Sequence, residues 1–554
     1  MPRTDKHVSD AEAGPRAIPP DSNGNGSSTD KYELATYPRV NPENGEQPTQ
    51  LSLSLDRAAE ARVRFKIDLY VVPLVALLYL FTYIDRANLG EMLPPPPARD
   101  LPSFSHAIPR FQDAKMGANE MPGNAKIAGL EKDLRMHGYD YNVTITVFYV
   151  AYIVFELPLV LLCKRMGPGW FLPLATILFG ISSLATAFVQ TSAQLMGVRF
   201  LLGVFEAGMF PGIAYFLSRW YRRAELAFRL SLYMVMAPLA GAFGGLLASA
   251  ILTLRSFGSL HDWRIIFAVE GIVTIGVGLV ALVILTDRPQ SARWLSDDEC
   301  KLAVARVESE RLGSKMLDRM DRTKIVRGLF CPTTLGMALI FLCNNITVQG
   351  LAFFAPTIVK TIYRDRTVVQ LQLLTAPQYV VGACFLLFFS YVSWRLDRRM
   401  VPLIMSSPLV MVGYIIFLAT AVSGARYAAT FLIASSLFVF GPLGAAHVAA
   451  NVVTDTARGA AIGMNVMLGN VGGLVAGWSF LPWDAPAYHI GNGLNLAMAS
   501  TSLVLAIIMW LWMKRDNRRR AARDVSADLS RLSGMSAEEI DDLDWKHPSF
   551  RWKT

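Results

Sequence analysis

Two pairs of charged residues lie inside long apolar stretches of this chain. Arg199 and Glu206 stand seven residues apart in RFLLGVFEAGMFP, and Asp85 and Arg86 are adjacent in LYVVPLVALLYLFTYIDRANLG. Seven residues is almost two helical turns, so Arg199 and Glu206 share one face of a helix. A charge at membrane depth is unfavourable unless it faces a partner charge or a water-filled cavity. Two membrane-spanning helices with such acids and bases indicate a pathway for a solute or an ion.

The elements that must position these charges are long apolar segments. The chain has 554 residues, of which 53% are hydrophobic, which is too apolar for a soluble protein of this length. We predict an all-α polytopic membrane protein with twelve spans, each long enough to cross a bilayer with some tilt. The approximate bounds are 67–90, 143–163, 170–189, 195–218, 227–254, 264–286, 333–359, 369–392, 401–422, 427–450, 459–481 and 493–513.

The net charge of +9 is unevenly distributed over the loops. Basic residues cluster in alternate loops, whereas the loops between spans 3 and 4 and between spans 11 and 12 contain no lysine or arginine. Excess basic residues mark cytoplasmic loops, so we place both termini in the cytosol and do not attribute the charge to nucleic-acid binding. The clusters are Arg57, Arg62, Arg64 and Lys66; Lys164 and Arg165; Arg219, Arg222, Arg223 and Arg229; ten residues between 288 and 327; Arg395, Arg398 and Arg399; and Lys514, Arg515 and Arg518 to Arg520.

Six spans, a charged stretch and six more spans give the chain a 6+6 organisation. Such a chain matches the architecture in which two six-helix halves move about a central site. The charged stretch contains SDDECKLAVARVESERLG, whose apolar spacing predicts a surface helix. The predicted segments are a disordered cytosolic tail, 1–60; an N-terminal bundle, 61–286; a cytosolic linker, 287–331; a C-terminal bundle, 332–513; and a cytosolic tail without a folded pattern, 514–554.

Several motifs in this order resemble one known family. They are KIDLYVVPLVALLYLFTYIDRANLG, NAKIAGLEKDL, FYVAYIVFELP, RFLLGVFEAGMFPGIAYFLSRWYRRAELAFR, WRIIFAVEGI, DRPQSARWLSDDE, GNVGGLVAG, DAPAYHIGN and DWKHPSFRW. From about Lys66 to the C-terminal tail, the chain resembles the fungal allantoate-permease-like branch of the anion:cation symporters, within the major facilitator superfamily. The resemblance implies the major facilitator fold, with its twelve helices in two bundles.

The resemblance also implies roles for the four charged residues. Asp85 and Glu206 are the candidate proton carriers, Arg86 is the candidate ligand of a substrate carboxylate, and Arg199 is the candidate partner that holds Asp85. Burial and a neighbouring arginine act in opposite directions on the protonation of a carboxyl, so such a group can gain and lose a proton. The alternative is a static charge cluster that holds spans 1 and 4 together.

Polar residues at membrane depth extend the candidate site. Such residues line a substrate site or, alternatively, form hydrogen bonds between helices. The substrate-binding candidates are Arg86, Asn88, Arg199, Asn345, Gln349, Gln378 and Asn465; Asn344, Tyr379 and His447 are further polar residues at this depth. Asn142, in Asn-Val-Thr at the outer start of span 2, is a weak candidate for glycosylation.

The chain departs from the family pattern at three places. The loop between spans 2 and 3, CKRMGPGW, lacks the usual acid, and in SWRLDRRM Trp394 stands where an aspartate is usual, with Asp397 displaced. Residues 91–123 interrupt a stretch that the family reads without a break, and their four consecutive prolines cannot extend a helix. This insert is either a translated, unspliced intron or an extracellular loop, and sequencing of the transcript distinguishes the two.

These observations predict a proton-coupled symporter that imports a small organic anion. The alternative is an exporter of a fungal metabolite, because the fold fixes neither direction nor substrate. A non-transporting nutrient sensor is disfavoured by tails of only about 60 and 40 residues. We expect no enzymatic activity, cofactor or metal, since the sequence shows no nucleophile constellation, metal-ligand cluster or phosphate-binding loop. We expect a monomer in the lipid bilayer of the plasma membrane, acting on the anion and protons.

Overall fold

The structure of the protein, a computed structural model, describes residues 57–89, 130–136, 140–252, 263–308, 321–363, 368–479, 484, 488–522 and 543–554. Within these ranges the regular structure is helical, and no strand is present. The predicted insert at 91–123 lies outside the described residues, and so do the side chains of Asn88 and Asn142. The α-helices are α1 (Arg57–Leu89), α2 (Leu130–Asp133), α3 (Asp140–Met166), α4 (Pro168–Thr186), α5 (Ser192–Glu206), α6 (Met209–Trp220), α7 (Arg223–Met234), α8 (Met236–Leu252), α9 (Trp263–Ile284), α10 (Asp297–Glu308), α11 (Arg322–Leu329), α12 (Pro332–Ile362), α13 (Val368–Leu396), α14 (Met400–Ala419), α15 (Ser423–Leu437), α16 (Phe440–Ala450), α17 (Asp455–Ala476) and α18 (His489–Ala521).

Twelve segments of the described helices are long and apolar enough to cross a membrane, which confirms the predicted architecture. Spans 1 to 6 are α1, α3, α4, α5 with α6, α7 with α8, and α9; spans 7 to 12 are α12, α13, α14, α15 with α16, α17 and α18. The first and last of these helices are longer than predicted, because α1 begins at Arg57 and α18 continues to Ala521. Both extensions are rich in charged residues, so hydropathy alone does not reveal them.

Spans 4, 5 and 10 are each interrupted once, where one helix ends and the next begins within three residues. Each interruption lies three or four residues before a proline. Proline has no backbone N–H, so the carbonyl four residues earlier loses its helical hydrogen bond. The interruptions are at 207–208, 235 and 438–439, and the prolines are Pro211, Pro238 and Pro442.

The linker contains a helix, α10, in the stretch for which the sequence predicts one. This helix is attached to the N-terminal half, because the buried Arg306 forms ion pairs with Glu60 of span 1 and with Glu225 of span 5. Lys66 Nζ also lies 2.7 Å from Glu299 Oε2, and this hydrogen bond lowers the pKa of the Glu299 carboxyl. We call this end of the bundle the linker end; it is the end that the basic loops predict to be cytosolic.

Residues 543–554 pack against the C-terminal half, although the sequence predicts no folded pattern in this tail. Phe550 and Trp552 are buried in the main hydrophobic cluster. The Asp544 carboxylate accepts hydrogen bonds from the backbone N–H of Thr454 at 3.3 Å and from its hydroxyl at 3.1 Å. Since Thr454 immediately precedes α17, the tail braces the start of span 11 at the linker end.

The two halves meet where span 11 packs on span 2 and span 8 packs on span 5. Glycines bring span 11 close to its neighbours on two sides. A Cβ at Gly473 would lie 3.1 Å from the Tyr149 ring of span 2, and a Cβ at Gly472 would lie 2.4 Å from the Leu342 carbonyl oxygen of span 7. Small residues allow membrane helices to approach one another in this way, and the close approach places polar side chains of spans 2, 7 and 11 at one level.

Candidate functional site

Two ion pairs join span 1 to span 4. Arg199 Nη1 lies 2.9 Å from Asp85 Oδ2, and the Ser183 hydroxyl donates to Asp85 Oδ1 at 2.6 Å. Arg86 Nε donates to Glu206 Oε1 at 2.6 Å, and Arg86 Nη2 lies 2.5 Å from the same oxygen. Two adjacent residues of one helix therefore pair with the two charges that share a face of the other.

The two pairs differ in exposure. The side chains of Arg199 and Asp85 are 2% and 4% exposed, whereas the Arg86 side chain is 17% exposed. The Arg86 guanidinium lies over the Tyr152 ring, 4.9 Å from its centroid, which is within the range of a cation–π interaction. Glu206 Oε2 is buried and has no hydrogen-bond partner among the residues that the structure describes. Arg86 is thus the member of the cluster that a solute can reach.

Arg86 lines a cavity of about 60 Å³ between the two halves. Side chains of spans 1, 2, 4 and 5 form one wall, and side chains of spans 7, 8, 10 and 11 form the other. Four amide side chains, Asn344, Asn345, Gln349 and Asn470, and six aromatic side chains, Tyr79, Tyr83, Tyr152, Phe210, Phe341 and Phe438, contribute to the lining. One cation, several amides and aromatic rings suit an anion with a flat apolar part.

The interrupted spans meet at this cavity. Phe210 of span 4, Met234 of span 5 and Phe438 of span 10 line it, and each lies at an interruption or within two residues of one. Discontinuous helices near the membrane midplane are typical of substrate sites in transporters. The interruptions therefore coincide with the candidate site.

The structure separates the predicted substrate-binding residues into two groups. Asn345 and Gln349 line the cavity beside Arg86, and Asn345 also donates to the backbone carbonyl of Gly469 at 2.5 Å. Three other candidates with described side chains lie elsewhere: Arg199 is buried against Asp85, while Gln378 and Asn465 are fully buried outside the cavity lining. Their roles as substrate ligands stay predictions. Membrane depth alone does not tell which face of a helix carries a residue, so the sequence does not show which candidates reach the cavity.

Glu156 is a buried carboxyl that the sequence reasoning overlooked. It lies in the middle of span 2 and is 0% exposed. Its Oε2 accepts a hydrogen bond of 3.0 Å from Asn470 Nδ2 of span 11, and Asn470 lines the cavity. The sequence does mark this residue: Glu156 is a charged residue inside the apolar run FYVAYIVFELP, just as Glu206 is a charged residue inside RFLLGVFEAGMFP.

At the linker end, polar and aromatic side chains join the two halves. Asp455 Oδ2 of span 11 lies 2.6 Å from the Tyr215 hydroxyl and 3.4 Å from Lys164 Nζ, both in the N-terminal half. The other half thus brings a carboxylate to Lys164, which lies in the segment that lacks the usual acid. Trp394 stacks on the Phe228 ring of span 5 with 5.4 Å between centroids, so an aromatic contact stands where an aspartate is usual.

This fold and this site define a membrane transporter with two six-helix halves around a central cavity. The family model described as Major Facilitator Superfamily matches residues 75–477, and the chain belongs to that superfamily. It is therefore a secondary transporter with a small-molecule substrate, and it is not an enzyme.

Similar proteins agree with this assignment. An uncharacterized transporter of Schizosaccharomyces pombe is 29% identical over 94% of this chain and 96% of its own length. The high-affinity nicotinic acid transporter of Saccharomyces cerevisiae is 29% identical over 84% of this chain and 80% of its own length. Among solved structures, the proton:xylose symporter XylE bound to 6-bromo-6-deoxy-D-glucose matches with a TM-score of 0.60 and 13% identity, over 80% of this chain and 96% of that chain. The last match shows the shared fold.

Proposed function

We propose that this chain is a proton-coupled importer of a small organic anion with a carboxylate group, and that it belongs to the anion:cation symporter branch of its superfamily. The observation that carries the proposal is the position of Arg86. Among the described residues that line the cavity, it alone is basic. A guanidinium binds a carboxylate through two parallel hydrogen bonds, which gives both affinity and orientation.

The lining favours an aromatic or similarly flat carboxylate. Aromatic side chains stack favourably on planar groups, and the Tyr83 and Tyr152 rings already flank the Arg86 guanidinium at 5.4 and 4.9 Å. The relative that is a nicotinic acid transporter supports this class, because nicotinate is a flat ring with one carboxylate. Amide side chains on the opposite wall, such as Asn345 and Gln349, would bind polar atoms at the other end of the substrate.

Coupling to protons follows from competition for Arg86. In the structure Glu206 occupies the guanidinium through Nε and Nη2, so an incoming carboxylate must displace it. A proton on Glu206 removes the negative charge of this competitor and releases Arg86 for the substrate. Asp85 is the second proton-carrier candidate, but Arg199 and Ser183 hold it away from the cavity, and its protonation would act through the packing of spans 1 and 4.

Uptake of radiolabelled carboxylates by cells that express the protein at the plasma membrane tests this function. Radiolabelled nicotinate is the first probe, and benzoate and allantoate are further carboxylates. We expect a carboxylate to accumulate when the outside is more acidic than the cytosol, and accumulation to stop when a protonophore collapses the gradient. Uncharged nicotinamide keeps the ring but lacks the carboxylate, so it is the matched control and should not compete. Efflux in place of uptake, or no accumulation of any carboxylate by a chain at the plasma membrane, would contradict the proposal.

A further inference from the structure

Glu156 and Asn470 form a buried link between the two halves of the transporter. Asn470 Nδ2 of span 11 donates a hydrogen bond of 3.0 Å to Glu156 Oε2 of span 2. Glu156 Oε1 is buried and has no hydrogen-bond partner within the described part of the chain. A carboxylate only accepts hydrogen bonds, so it fixes the NH₂ group of Asn470 toward itself. The carbonyl oxygen of Asn470 is then left for the cavity that this residue lines.

The charged groups around Glu156 are few. Arg86 of span 1 acts on it electrostatically, and Tyr152 of its own helix is the titratable group nearest along the chain. Three spans pack against span 2. Span 3 contains no ionisable residue, and span 4 contributes Glu206 and Arg199. The ionisable residues of span 11, Asp455 and Arg458, lie at the linker end, more than ten residues before Asn470.

We propose that Glu156 is a specificity-determining residue that sets, through Asn470, which hydrogen-bonding group the cavity presents to the substrate. The inference rests on the proposed function, which it deepens. With Glu156 ionised, Asn470 presents its carbonyl oxygen and favours a substrate with a donor. A protonated Glu156 carries an O–H that donates to the Asn470 carbonyl oxygen. The amide then turns over and presents its NH₂ group, so the cavity favours an acceptor.

This switch selects among carboxylates by their second polar group. Nicotinate has a ring nitrogen that accepts a hydrogen bond, whereas benzoate has the same carboxylate and nearly the same shape without that acceptor. Arg86 and Glu206 act on the carboxylate, which the two anions share, so their effects cancel in the ratio of the two KM values. Asn470 acts on the ring nitrogen, so its effect remains in the ratio. We expect the preference for nicotinate to be larger at low pH.

The transport test measures the benzoate-to-nicotinate KM ratio between pH 5.5 and 7.5, in exchange mode without a gradient. In the wild type the ratio should be higher at pH 5.5 by about threefold to tenfold, the effect of one neutral hydrogen bond. In Glu156→Gln and in Asn470→Leu it should change less than twofold with pH. The matched control is Glu270→Gln, which alters a buried carboxyl of span 6 outside the cavity lining and should keep the wild-type slope. A wild-type slope in Glu156→Gln, or a pH-independent ratio in the wild type, would overturn the proposal.

A second measurement needs no substrate. Infrared difference spectra of the purified protein in lipid nanodiscs, taken between the same two pH values, should contain a carboxyl band and a side-chain amide band. Because Glu206 is also proposed to take up a proton, the carboxyl band alone does not report Glu156, and the amide band decides. Glu156→Gln and Asn470→Leu should both remove the amide band, whereas Glu206→Gln should keep it. If the amide band survives in Glu156→Gln, the switch does not exist even if carboxylates are transported. If the bands behave as expected but no carboxylate is transported, the switch stands and the proposed substrate class fails.

Discussion

Replacing Glu206 by glutamine separates a coupling role from a structural one. The change keeps the size of the side chain and removes its charge, so the side chain resembles the protonated acid. Glu206 lies at the end of α5, 1% exposed, and binds Arg86 through Nε and Nη2. If Glu206 carries the transported proton, Glu206→Gln fixes the transporter in the state in which Arg86 is available to the anion.

The size of the effect follows from the hydrogen bond that Arg86 Nε donates to Glu206 Oε1. A hydrogen bond to a charged partner contributes about 1.5–3 kcal/mol, and one to a neutral partner about 0.5–1.5 kcal/mol. Glu206→Gln makes the acceptor neutral, so the competitor for Arg86 is weakened by about 1–1.5 kcal/mol. That corresponds to an increase in anion affinity of roughly 5- to 10-fold. The gain should appear as a lower KM in exchange.

The assay combines surface abundance, uptake driven by a proton gradient and counterflow exchange. We expect near-normal abundance, a sharp loss of concentrative uptake and retained exchange. A static ion pair predicts the opposite order of damage, because loss of the acid that pairs with Arg86 would destabilise the fold and lower surface abundance first. Glu270→Gln controls for loss of a buried carboxyl as such. Normal abundance together with normal concentrative uptake in Glu206→Gln would refute the reasoning.

Three further substitutions test other contacts. Arg86→Lys should raise the KM for a carboxylate at least tenfold, because lysine lacks the planar fork; unchanged uptake by a well-expressed variant would exclude Arg86 as the ligand. Asp455→Asn should lower the free energy needed to separate the two halves at the linker end by about 1–3 kcal/mol. Mass spectrometry would detect this as faster thiol labelling of the buried Cys163, which lies beside Asp455; an unchanged labelling rate would show that Asp455 does not hold this end closed. Asp544→Ala should lower thermal stability by about 1–3 kcal/mol, because it leaves the Thr454 backbone N–H without its acceptor; an unaltered melting temperature would contradict the bracing role of the tail.

Hydropathy and charge predict the architecture because membrane spans have few alternatives. The same reasoning locates Asp85, Arg86, Arg199 and Glu206, since a charge inside an apolar run is conspicuous. It does not predict which of them reaches the cavity: Arg86 does and Arg199 does not, because rotation of a helix about its axis is set by contacts with its neighbours.

Long-range contacts explain what the sequence leaves open. The tail resembles a cytosolic extension, yet Phe550 and Trp552 are buried, and Asp544 binds a residue that lies 90 positions earlier. Glu156 is visible as a charge in an apolar run, but its partner Asn470 is 314 positions away. Prolines are equally ambiguous, since Pro73 lies within a continuous helix whereas Pro211 follows an interruption.

The three interruptions bear on how the protein changes shape. Bending an intact helix stretches hydrogen bonds between successive turns. At 207–208, 235 and 438–439 a proline has already removed one of these bonds, so the backbone bends there against a weaker restoring force than in a helical turn that keeps all its bonds. These soft points surround the cavity in both halves. Bending of spans 4, 5 and 10 at these points would narrow the mouth of the cavity without rotation of an entire half.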